Sequence, residues 1–73
     1  MNPLEKKQLA RTTLVAITKI KDRPLKHDGN LDTEAFNRLP EVQEAIIRLK
    51  EAGITREWLV NNGFVMASMV LIF

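Results

Sequence analysis

Cysteine is absent from the 73-residue sequence, and histidine occurs once, at His27. A chain of this length buries only about 60% of the surface its unfolded form exposes, so its core needs a supplement. The usual supplements are disulfides, a structural metal or self-association. The first is excluded, and a lone imidazole without thiols does not make a structural zinc site. Self-association remains, and a homo-oligomer is expected. The lack of cysteine also fits a reducing, cytoplasmic setting. Glycine is nearly as scarce: Gly29, Gly53 and Gly63 each stand alone, so no glycine-rich loop can cradle a phosphate, and no cofactor is expected. The opening MNPLEKKQLARTTLVAITK has charge where a secretory leader has its apolar centre, so export is not expected.

Catalytic groups are equally sparse. His27 beside Asp28 has the composition of a base and its orienter, but adjacent side chains seldom point at each other, and the nearby Thr33 hydroxyl has no activating partner in the sequence. No catalytic residue is assigned, and a non-enzymatic protein is expected. DGNLDTE, residues 28–34, sets Asp28, Asn30 and Asp32 at alternate positions, as at the start of a calcium loop. The sixth position of that loop is Thr33 where glycine makes the turn, and the twelfth is Leu39 where a bidentate glutamate belongs. The stretch reads instead as a polar turn leading into a helix cap, with no metal site.

What the sequence does contain is helix punctuation. Asn2, Pro3 and Glu5 form an N-terminal capping pattern, followed by a helix from about Pro3 to Lys21. Leu9, Ala10, Leu14, Ala16, Ile17 and Ile20 occupy one arc of it, and Lys7, Arg11, Thr18 and Lys19 the other side. Residues 22–30, DRPLKHDGN, break the period with Pro24 and Asp28–Gly29 and read as a loop. Asp32 caps a short helix to about residue 38, with Leu31 and Phe36 at the spacing of a hydrophobic staple. Pro40 opens the most regular helix, in which Val42, Ala45, Ile46 and Leu49 repeat at i, i+3, i+4, i+7. Gly53 closes it in a left-handed cap, Thr55 caps the next helix, and Gly63 closes that one. Ile54 serves both neighbours, as the apolar partner of Leu49 and as the staple to Leu59.

The last stretch, GFVMASMVLIF, is interrupted only by Ser68, and no side chain after Glu57 is charged. Its length is about half of the roughly 20 residues that cross a bilayer as a helix, so no membrane span is expected. As a strand it would be apolar on both faces, with no alternating partner elsewhere in the chain. A helix satisfies its own backbone. The fold expected is therefore all-α, one domain over residues 1–73, a compact bundle of four or five short helices. The C-terminal segment is read as a buried helix, the alternative being a strand paired across a dimer.

Charge is unevenly placed. Residues 1–27 carry seven basic and two acidic side chains, a balance of +5, whereas residues 28–73 carry four and seven, a balance of −3; together these give the net +2. A basic first helix and an excess of apolar surface suit a small regulator, inhibitor or adaptor working by protein–protein contact. Its partner would present an acidic patch, met by Lys7, Arg11 and Lys19, with Trp58, Ile72 and Phe73 as apolar anchors. One alternative is a DNA-binding regulator using residues 40–62 in a helix-turn-helix layout, with Arg56, Asn61 and Asn62 as contacts. Another is a structural subunit that assembles with itself.

Overall fold

The computed structural model describes residues 1–73 and contains five helices and no sheet. Helix α1 spans Pro3–Thr18. Asn2 Oδ1 accepts from the Glu5 N–H at 2.8 Å, while Asn2 Nδ2 donates to Glu5 Oε1 at 3.0 Å. The reciprocal bond thus runs between the two side chains. The helix ends three residues before the expected Lys21. The Lys19 and Ile20 N–H groups reach Ala16 and Ile17 carbonyls in tighter i to i−3 bonds, Asp22 then takes φ 56°, and Pro24 bars Arg23 from helical conformation. In the loop that follows, Leu25 and Leu31 form an isolated antiparallel bridge. Asp28 Oδ1 accepts from the Asn30 N–H at 3.0 Å, so the aspartate of the calcium-like stretch shapes the turn.

Helix α2, Thr33–Arg38, begins with Asp32 Oδ1 accepting from the Ala35 N–H at 3.1 Å. Leu39 both ends α2 and begins α3, Pro40–Glu51, and its extended ψ of 137° is the conformation Pro40 imposes on the residue before it. Val42, Ala45, Ile46 and Leu49 are all buried, as their spacing predicts. At the end of α3 the Gly53 N–H bonds to the Lys50 carbonyl and the Ile54 N–H to the Leu49 carbonyl, both at 2.9 Å, with Gly53 at φ 74°. This is a complete Schellman motif. Thr55 Oγ1 then accepts from the Trp58 N–H at 3.0 Å to start α4, Arg56–Asn61. The same closure recurs: Gly63 N–H to Val60 carbonyl at 3.2 Å, and Phe64 N–H to Leu59 carbonyl at 2.7 Å. Helix α5, Val65–Val70, follows.

The C-terminal run is thus a helix and not a strand, but it is covered on one side only. Ser68 and Leu71 are buried, whereas Met66, Met69 and Ile72 are 75%, 69% and 59% exposed. Helix α3 lies against both α1 and α2, and α4 against α5. On α1 the buried positions are Ala10, Thr13 and Ile17; Ala16, at the edge of its apolar arc, is exposed. The small Ala10 and Thr13 give α3 room to approach. The molecule measures 42 × 21 × 18 Å, and this elongation leaves only 13 residues buried. Surface that a rounder body would hide therefore stays in solvent.

Gly53 is the position where the backbone leaves no choice. A β-carbon there would meet only the Lys6 Nζ, 3.6 Å away, so a side chain is opposed by the left-handed φ and not by space. Gly53→Val is expected to destabilise the fold by more than about 1 kcal/mol. Thermal melts check it: a drop in Tm of about 4 °C or more is expected.

Candidate functional site

One groove gathers apolar side chains from several elements, some buried and some partly exposed. The end of α1 supplies Leu14 and Ile17, the loop Leu31, and α2 Phe36; the opposite wall is Phe64, Val70 and Leu71. The groove has a volume of about 530 Å³, and ten of its thirteen lining residues are hydrophobic, so an apolar occupant would gain by leaving water there. Thr18 and Arg23 give it a polar edge, with Arg23 the one charged side chain among the lining residues.

The basic face of α1 leads into this groove. Lys7, Arg11, Leu14 and Thr18 follow at i, i+4, i+7, i+11 along one stripe of the helix, so Leu14 stands at the edge of the apolar arc, next to the basic side chains and not opposite them. The last two line the groove, and the first two are exposed beyond it. Lys19, at the helix C-cap, is also exposed but lies about a third of a turn away from the stripe. Lys7 and Arg11 thus stand with the groove, and Lys19 apart from it.

Trp58 is half-buried, and both halves are used. Its ring stacks on Phe64 with centroids 5.9 Å apart and planes 13° from parallel, and Lys6 Nζ sits 5.4 Å from its centroid, within cation–π range. Because Phe64 lines the groove, the stack supports one wall of it. Ile72 is exposed just beyond α5, while Phe73 packs in part against the core. Of the residues considered for nucleic acid, Arg56 and Asn61 are exposed at the two ends of α4, but the Asn62 amide donates to the Trp58 carbonyl at 2.8 Å and acts inside the fold. A recognition helix of six residues with Glu57 in its first turn offers little to a phosphate backbone.

Asn37 is the residue that sequence reasoning missed. It is buried, its Nδ2 donates to the Thr33 carbonyl at 2.7 Å and the Val70 carbonyl at 2.9 Å, and its Oδ1 accepts from the Ile72 N–H at 2.9 Å. Its own carbonyl accepts from Gln43 Nε2. One side chain therefore ties the C-terminal segment to α2, fixing Val70 and Leu71 opposite Phe36 across the groove. Its place beside Phe36 on a helix that must bury one face was the only local hint. The partners lie 33 and 35 residues away. Compared with protein-family models, curated proteins and solved structures, the chain matches none.

Asn37→Ala would leave the Ile72 N–H and the Val70 carbonyl without their partner. A loss of about 2 kcal/mol or more is expected in chemical denaturation, with faster hydrogen exchange at the Ile72 amide than at the amides of α3. Unchanged protection of Ile72 would show that something other than Asn37 holds the segment.

Proposed function

We propose that the chain is a small non-enzymatic binding protein, a regulator, inhibitor or adaptor. It takes an amphipathic helix of another protein into the groove between α1, α2 and α5. The observation that carries this reading is the union of an apolar groove with a basic border: Arg23 on its edge, and Arg11 and Lys7 on the α1 stripe that runs into it. Apolar side chains at i and i+4 of a guest helix provide affinity in such a groove, and acidic side chains flanking them meet the basic border. An acidic guest is thereby steered in, and a basic one is repelled. The charges of α1 contribute chiefly to approach, the hydrocarbon of Leu14, Phe64 and Val70 to residence.

A defined probe tests this. A helical peptide of about 14 residues, with leucines on one stripe and glutamates beside it, is titrated against the protein while backbone amides are followed by NMR. A second peptide carries lysine at every glutamate position. The acidic peptide is expected to bind at least about tenfold more tightly, with shifts centred on Leu14, Phe64 and Val70, and Arg23→Glu is expected to remove most of that preference. Equal binding of the two peptides, or shifts away from the groove, would overturn the reading. Salt-sensitive binding of a mixed-sequence DNA duplex that weakens in Arg56→Ala would favour the nucleic-acid alternative.

A further inference from the structure

We propose that the outward face of α5 is where two copies of this chain meet about a twofold axis. From Trp58 to Phe73 no side chain is charged, yet Val60, Val65, Met66, Met69 and Ile72 are each between 46% and 75% exposed. Half of the ten large apolar side chains left in solvent thus fall in this final segment. Val65 and Met69 are one helical turn apart on α5, and Ile72 is exposed just beyond the extended Leu71 that ends the helix.

The absence of charge decides the occupant. In a twofold contact each residue near the axis faces its own copy, so any charge there meets its like at a cost. Elsewhere the surface is charged: α1 is basic, and α3 exposes Glu41, Glu44 and Glu51. The α5 face alone can be pressed against its own image without opposing charges. A guest selected by charge has nothing to read there, whereas methionine, unbranched and adaptable, fits a surface that repeats its own shape. The marginal core of so short a chain gives such pairing a thermodynamic role. The face is confined to one six-residue helix and its flanks, so the association is weak and concentration-dependent. Val65 and Met66 also line the groove, whereas Val60, Met69 and Ile72 do not, so the variants below are placed at Met69, outside the peptide-binding surface.

Sedimentation is measured from about 5 to about 500 µM, the range in which an undersized interface assembles. The average mass is expected to rise from the 8.3 kDa of the single chain towards twice that value. Met69→Glu is expected to weaken self-association at least tenfold, and Met69→Lys likewise, each with unchanged circular dichroism because the side chain is 69% exposed. An equal mixture of the two variant chains is expected to recover association, because unlike charges then face each other across the contact. A wild-type chain that stays at 8.3 kDa throughout overturns the proposal. So does Met69→Glu assembling as well as wild type, or a mixture that assembles no better than either variant alone. Arg23→Glu is expected to leave self-association unchanged while altering peptide binding, which separates failure here from failure of the groove.

Discussion

The angle between α3 and α4 governs the rest of this molecule, and it is set within three residues. Gly53 accepts the left-handed backbone that closes α3, and Ile54 is only 1% exposed between the two helices. Thr55 starts the next helix with its hydroxyl. A backbone joint closed by a Schellman motif on one side and a side-chain cap on the other has little freedom to swing. That joint carries the α4–α5 hairpin, and hence Phe64 and Val70, to the far side of the groove from Leu14 and Phe36. The same closure at Gly63 fixes the second angle, so the groove is defined by two glycine turns and one asparagine latch.

Thin packing follows from the same arrangement. Five helices strung along a 42 Å axis share a core of ten apolar residues, and no large second layer covers them. Apolar surface is left in two places of different chemistry. One is a groove bordered by arginine and lysine; the other, outside it, is the uncharged surface of Val60, Met69 and Ile72. No helix is long and apolar enough to cross a membrane.

Polar atoms hold the C-terminal segment in register where hydrocarbon alone would not. Leu71 is buried, but an apolar anchor tolerates sliding by a turn, since any similar side chain fills the same space. The three bonds of Asn37 do not tolerate it: they need the Val70 carbonyl and the Ile72 N–H at fixed positions, in surroundings where an unmade bond is costly. Trp58 plays a complementary part at the other wall: packed in part against the core, stacked on Phe64 and covered by Lys6, it braces the groove.

The sequence by itself determined the helices, because what starts and stops them acts over a few residues. Asn2, Asp32, Thr55, Gly53 and Gly63 each bond within about five positions, and their effect is readable without knowing where the rest of the chain lies. The buried face of α3 was legible for the same reason, through its period. The end of α1 at Thr18, the burial of Thr13 in place of Ala16 and the half-covered state of α5 were not, since each depends on which helix comes to lie alongside. Lys7, Arg11 and Trp58 were singled out from sequence, but their relation to a groove was not. Only the tertiary structure brought Leu14, Phe36 and Val70 together, turned Asn62 inward and made Asn37 a latch. Contacts between residues more than thirty positions apart leave no local pattern, because either partner alone is compatible with many folds.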